Sequence, residues 1–145
     1  MKIGHVGLNV TNLEQSLAFY TDIFELETIR ESYEKGKKFA FLGHNRNVAL
    51  TLWEQSKTEF SKSHSGLHHL AFETDSIDTI KTIEQKLVKM GVKMIYEGIT
   101  AHEEGSNSGG IFFLDPDGIR LEIYAPLDRE SRDHRYTEGP ACGFF

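Results

Sequence analysis

The feature that most constrains the fold is an internal repeat with a period of about 64 residues. The segment HVGLNVTNL begins at His5, and the similar segment HLAFETDSI begins at His69. In both copies a histidine starts a short apolar run, and an amphipathic helical pattern follows that run. Because three β-like runs come after each helix, each copy is predicted to fold as a β-α-β-β-β module. The predicted fold class is therefore α+β.

Both predicted helices carry capping signals. Thr11 and Glu14 form a capping-box pattern before the first helix. Its apolar stripe is Leu13, Leu17, Tyr20 and Phe24. Asp75 is the predicted cap of the second helix and Gly91 its predicted end. The apolar stripe of this helix is Ile77, Ile80, Ile83, Leu87 and Met90.

The β-like runs complete the two modules. They are LETIRESYE, KKFAFLG and VALTLWE in the first module, and VKMIYEG, GGIFFLD and IRLEIYA in the second. DPDG joins the last two runs and is typical of a type I turn. We predict one domain over residues 1–126, with modules at 1–54 and 67–126 and a linker at 55–66. The polar segment 127–145 is a predicted C-terminal extension.

Composition and charge exclude several classes of function. The formal net charge is -6, and no Lys/Arg-rich run occurs, so nucleic acid is not an expected partner. No apolar span is long enough to cross a membrane, and MKIGHVGLNV lacks the unbroken apolar stretch of a signal peptide. A single cysteine, Cys142, rules out an intrachain disulfide framework. A cytoplasmic protein is expected.

Strand alternation places three metal-binding residue types on one side of the predicted sheet. His5 and His69 hold equivalent positions in the repeat, and Glu122 lies on the corresponding face of the last strand. Two histidines and a carboxylate form the ligand set of a divalent first-row metal with open positions, such as Fe, Mn, Ni, Zn or Co. The same alternation places His68 on the opposite side, with Leu70 and Phe72, where a structural role is expected. The competing interpretation is a solvated polar face, on which Arg120 and Glu122 form an ordinary surface pair.

Three segments resemble the vicinal oxygen chelate superfamily, which includes glyoxalase I, bleomycin resistance proteins, fosfomycin-modifying transferases and extradiol dioxygenases. They are HVGLNVTNLEQSLAFYTDIFEL, HHLAFETDSID and GGIFFLDPDGIRLEIYAP. The resemblance covers about residues 1–126 and implies two modules that form a U-shaped mixed sheet around a metal-binding cleft. The family's metal ligands fall on His5, His69 and Glu122.

The resemblance also separates the possible activities. The fourth, acidic ligand of glyoxalase I falls on Thr51 or its neighbours, where no Asp or Glu occurs. True glyoxalase I activity is therefore not expected. A metal-dependent lyase, isomerase or transferase acting on a small oxygenated molecule is the first hypothesis. An iron(II) extradiol dioxygenase of catechol-like substrates is the second, and a non-catalytic small-molecule binder of the antibiotic-resistance type is the third.

Further residues are candidates for the substrate pocket. Glu73 lies on the same predicted face as His69 and is a weak candidate for the general base. A homodimer is common in the family. The predicted pocket residues are Thr51, Trp53, Arg120, Tyr124 and His102.

Overall fold

The computed structural model of the protein describes residues 1–102 and 107–126. The described chain divides into two compact units. The first contains residues 1–61 and 116–118, and the second contains the remaining described residues. The boundary after Ser61 lies inside the segment predicted as a linker, whereas the predicted extension 127–145 lies outside the described residues. None of the helices in the described part is both long and apolar enough to span a membrane.

The first unit has the predicted β-α-β-β-β order. Its elements are β1 (Val6–Val10), α1 (Leu13–Phe24), β2 (Glu27–Ser32), β3 (Phe39–His44) and β4 (Asn47–Glu54). The strands form one sheet in the order β1-β4-β3-β2. β1 pairs with β4 in parallel, and the other pairs are antiparallel. A mixed sheet results because α1 carries the chain back across before the β2–β4 meander begins.

One face of this sheet forms the core beneath α1. Alternate residues of β1, β3 and β4 are buried there, as the period of two predicts. They are Leu8, Val10, Ala40, Leu42, Leu50 and Leu52. In α1 the predicted Leu13 and Tyr20 are fully buried, but Leu17 and Phe24 are only half-buried, and Phe19 and Ile23 are buried in addition. The apolar stripe of α1 is therefore rotated from the predicted one.

The predicted cap of α1 is wrong by one residue. Asn12 is the N-cap, and its side chain accepts a hydrogen bond from the backbone N–H of Gln15. Thr11 instead makes two hydrogen bonds to the carboxylate of Asp117. Its hydroxyl donates to Oδ1, and its backbone N–H donates to Oδ2 at 2.9 Å. Thr11, which the local sequence favoured as the cap, is therefore bound to Asp117, a residue 106 positions away in the chain.

The second unit has the same β-α-β-β-β order, but the strand that follows its helix is shorter. It contains β5 (Leu70–Glu73), α2 (Ile77–Lys89), β6 (Thr100–Ala101), β7 (Ser108–Leu114) and β8 (Arg120–Pro126). The sheet order is β5-β8-β7-β6, with β5 and β8 parallel. The strand predicted over VKMIYEG is wrong, because this segment holds only an isolated bridge between Met94 and Phe113. Each unit still has one helix and a four-stranded mixed sheet, and the α+β class is confirmed.

The ends of α2 differ from the prediction at two positions. Ser76 is the N-cap, rather than Asp75, and accepts from the backbone N–H of Thr79. Met90 is 46% exposed and follows the helix, so it does not belong to the buried stripe. Gly91 adopts a φ of +72°, the left-handed conformation that favours glycine after a helix end.

Candidate metal centre

The candidate centre of the second unit is built on β8. Glu122 is the third residue of this strand, and only 2% of it is exposed. Leu121 and Ile123 are buried on the helix side, as predicted, but Arg120 and Glu122 are buried as well. Both faces of β8 are therefore covered. The interpretation of Arg120 and Glu122 as an ordinary solvated surface pair is excluded.

His69 lies beside the buried carboxylate. Its Nε2 atom is 3.3 Å from Glu122 Oε2, and the ring is largely buried. The parallel register of β5 and β8 places Ala71 opposite Glu122, so the residue just before β5 reaches the same region. Burial lowers the pKa of His69, and this effect outweighs the neighbouring carboxylate, which would raise it. His69 is therefore neutral at pH 7, the form of imidazole that binds a metal.

His102 approaches the other oxygen of the same carboxylate. Its Nε2 atom lies 2.6 Å from Glu122 Oε1, and its Nδ1 atom lies 2.7 Å from the Ser108 hydroxyl. The sequence identified His102 only as a pocket residue. Its link to Glu122 depends on the pairing of β6 with β7 and of β7 with β8, which no local pattern reveals.

The predicted environment of His68, on the core side of the strand, is wrong. The strand begins only at Leu70, so the alternation that assigned His68 to the core side does not extend to it. His68 is exposed, and its Nδ1 atom lies 2.8 Å from Nδ1 of His69. The two rings meet nearly at right angles, with an interplanar angle of 79°. His68 therefore contacts the candidate ligand directly.

Three other predicted site residues lie in the same unit. Arg120 Nε donates to the backbone carbonyl of His68 at 2.9 Å, which ties β8 to the segment before β5. Tyr124 donates from its hydroxyl to Glu73 Oε2 at 3.2 Å. Burial, followed by the charge of Glu73, raises the pKa of Tyr124, so this phenol stays protonated and remains a donor. Glu73 itself is exposed at the end of β5.

The remaining predicted residues belong to the first unit. His5 is exposed and immediately precedes β1. Gly7 pairs with Thr51 in the β1–β4 register, on the face away from α1. Thr51 is buried and accepts a hydrogen bond from Trp53 Nε1 at 3.0 Å.

Trp53 belongs to an aromatic cluster on that face. We define this aromatic cluster as Phe39, Phe41 and Trp53, whose ring centroids lie 5.1–5.7 Å apart. All three side chains are half-buried. The guanidinium of Arg30 lies 5.5 Å from the centroid of Phe39, within cation–π range.

The donor chemistry in the second unit fits a divalent metal. An imidazole nitrogen and a carboxylate oxygen face each other at 3.3 Å, and first-row metals bind both atom types. His102 Nε2 contacts the other carboxylate oxygen, and the His102 ring is itself held through Nδ1 by the Ser108 hydroxyl. Within residues 1–102 and 107–126, no three His, Cys, Asp or Glu side chains are already gathered as a metal site.

Residues 2–123 match the family model of the Glyoxalase/Bleomycin resistance protein/Dioxygenase superfamily. The chain belongs to this superfamily. The predicted resemblance is confirmed, and the match spans both units.

Relatives with known names extend this result. A trivalent organoarsenical cleaving enzyme from Bacillus sp. is 27% identical over 142 residues, covering 98% of this chain and 83% of the relative. The metallothiol transferase FosB of Bacillus licheniformis is also 27% identical, covering 98% of this chain and 86% of the relative. Both names are those of enzymes, as the first hypothesis predicts.

A solved structure supports the fold. The fosfomycin resistance protein FosX from Listeria monocytogenes, complexed with Mn(II) and sulfate, superimposes with a TM-score of 0.66. The alignment covers 90% of this chain and 96% of FosX, at 22% identity. At this identity the likeness establishes the α+β fold, and the manganese ion is a property of FosX.

Proposed function

We propose that this chain is a metal-dependent enzyme that acts on a small oxygenated substrate. His5, His69 and Glu122 hold one divalent metal ion, which is Fe, Mn, Ni, Zn or Co. When bound, the metal supplies Lewis-acid stabilisation of negative charge on adjacent substrate oxygens. The reaction is of the lyase, isomerase or transferase type.

The burial of Glu122 is the observation that carries this proposal. A carboxylate that is 2% exposed requires compensation, and Glu122 has an imidazole nitrogen at each oxygen. His102 secures Oε1, which leaves Oε2 on the side of His69. One oxygen thus points to a neutral imidazole, and the other is held in place by a hydrogen-bonded partner. This division suits a carboxylate that binds a metal through one oxygen.

The chain's own residues supply the remaining functions. Tyr124 is a protonated phenol that orients Glu73 by donating to it at 3.2 Å. Glu73 is exposed, so it is accessible to substrate and can accept a proton. The remaining predicted pocket residues, Thr51, Trp53, Arg120 and His102, are proposed to shape the substrate site.

The aromatic cluster favours a second candidate function. Three half-buried rings on one sheet face offer a flat apolar surface, and such surfaces bind aromatic rings by offset or edge contacts. An aromatic diol carries such a ring and also two adjacent oxygens that a metal can chelate. An iron(II) extradiol dioxygenase is therefore the alternative enzyme, and a non-catalytic small-molecule binder is the alternative without chemistry.

Metal analysis of the purified protein tests the proposal. We expect one metal ion per chain in the wild type after loading with Mn(II), Fe(II), Ni(II), Zn(II) or Co(II). His69→Ala and Glu122→Gln should lose that ion, whereas His64→Ala, which changes an exposed loop histidine, should retain it. A wild type without metal, or an unchanged metal content in His69→Ala, would contradict the proposal.

Substrate assays then separate the enzyme classes. Oxygen uptake by the Fe(II)-loaded protein on a panel of catechols would select the dioxygenase. Turnover of thiol-acceptor or isomerisation substrates without oxygen uptake would select the first proposal. Stoichiometric ligand binding without turnover would select the binder. We further propose a cytoplasmic location. We also propose a homodimer, which size-exclusion chromatography with light scattering tests.

A further inference from the structure

We propose that His68 is a positioning residue that fixes the tautomer and ring orientation of His69 for metal binding. This inference rests on the proposed function, because it concerns one of the three proposed metal ligands. The observation behind it is the 2.8 Å approach of the two Nδ1 atoms.

The geometry assigns different tasks to the two nitrogens of His69. Nε2 faces Glu122 Oε2 at 3.3 Å, and Nδ1 faces His68 at 2.8 Å. Only Nε2 is therefore on the side of the second proposed ligand. A neutral imidazole that binds a metal through Nε2 carries its proton on Nδ1. That Nδ1–H donates to Nδ1 of His68, which accepts it as a neutral ring protonated on Nε2.

The backbone of His68 is itself held in place. Arg120 Nε donates to the His68 carbonyl at 2.9 Å, and Arg120 is buried two residues before Glu122 on β8. The strand that supplies the carboxylate ligand thus also anchors the partner of the imidazole ligand. Second-sphere acceptors of this kind typically change metal affinity ten- to hundredfold when they are removed.

Two substitutions separate the acceptor from the side chain as a whole. His68→Ala removes the acceptor, whereas His68→Asn places an amide oxygen where Nδ1 lies. Because His68 is exposed, both variants are expected to fold. We expect His68→Ala to weaken Zn(II) binding by about ten- to hundredfold in competition with a chelator. His68→Asn should stay within a few-fold of the wild type, as should the control variant His64→Ala.

Ring-nitrogen NMR provides a readout that a purely structural role would not change. In the Zn(II)-loaded wild type, the Nδ1 proton of His69 should appear as a hydrogen-bonded, slowly exchanging resonance. In His68→Ala this proton should exchange with water, and it should return in His68→Asn.

The outcomes distinguish this inference from the proposed function. A wild type that binds no Zn(II) overturns both. If His69→Ala abolishes Zn(II) binding but His68→Ala binds as tightly as the wild type, only the role of His68 is overturned. An equal loss in His68→Ala and His68→Asn likewise overturns it, because the acceptor would then not be the cause.

Discussion

The Glu122 carboxylate is where two histidines of the second unit meet. Desolvating a carboxylate costs several kcal/mol, so a sequence selected for stability alone would favour an apolar residue at this buried strand position. His102 offsets part of that cost through its 2.6 Å hydrogen bond to Oε1, and His69 Nε2 contacts Oε2 at 3.3 Å. The same contacts fix the carboxylate in one orientation. Single substitutions around Glu122 should therefore affect stability and metal binding together.

His102 allows this coupling to be tested. His102→Ala removes a hydrogen bond to a buried charged group, which is worth about 1.5–3 kcal/mol. We expect the free energy of unfolding in urea to fall by that amount and Mn(II) affinity to fall about tenfold or more. His102→Gln, whose amide nitrogen can still donate to Glu122, should recover most of both losses. Unchanged stability and affinity in His102→Ala would show that the 2.6 Å contact has no energetic role.

At the scale of elements, the start of helix α1 is stabilised by a residue at the end of strand β4. Glu54, at the end of β4, accepts from the backbone N–H of Leu13, the first residue of α1, at 2.8 Å. Its other oxygen lies 2.8 Å from Lys38 Nζ. The carboxylate therefore satisfies a free helix N–H and complements the positive end of the helix dipole.

Glu54→Gln should lower the free energy of unfolding by about 1 kcal/mol at pH 7. The hydrogen bond from Lys38, followed by that from Leu13, lowers the pKa of Glu54 below its ordinary value. The folded state thus binds this proton less readily than the unfolded state. The stabilisation is complete above the unfolded pKa and is lost as the pH falls through the folded pKa. Urea titrations should show the two proteins converging below about pH 4; a pH-independent difference would contradict the assignment.

Gly43 lies in β3 beside the turn to β4, where the pairing of the two strands shifts register. A Cβ atom at this position would lie 1.9 Å from the backbone carbonyl oxygen of Asn47, and no side-chain rotation can relieve that contact. Gly43→Ala should therefore destabilise the protein by about 1–3 kcal/mol. Gly4→Ala is the matched control, because a Cβ atom added at Gly4 would meet no other atom within 4 Å. Equal unfolding midpoints for the two variants would show that the hairpin adjusts freely.

The elements were largely predictable because their signals are local. Period-two and helical patterns gave both helices and most strands in the observed order. The errors arose where distant groups compete with local ones, or where a strand begins later than its pattern predicts. Asp117 engages Thr11, so Asn12 becomes the cap. His68 precedes the first residue of β5, so strand alternation does not govern its side chain. His102 reaches Glu122 only through two strand pairings.

At the scale of the whole molecule, the sequence repeat is the basis on which the metal ligands are proposed. His5 belongs to the first unit, whereas His69 and Glu122 belong to the second. The equivalence of His5 and His69 in the sequence is the basis for pairing them. Because metal binding stabilises the folded state, the thermal shift of a variant that lacks one histidine measures the contribution of the unit that supplies it.

We expect Zn(II) at about one hundred times its dissociation constant to stabilise the wild type by about 2.7 kcal/mol. For a chain of 145 residues this corresponds to a rise in Tm of roughly 5–10 °C, which EDTA should reverse. His5→Ala and His69→Ala should each lose most of the rise, because each removes one of only three proposed protein ligands. His44→Ala, an exposed histidine of β3, should retain it. If His5→Ala kept the full rise while His69→Ala lost it, the site would lie within the second unit. The sequence repeat would then explain the fold but would not identify the metal ligands.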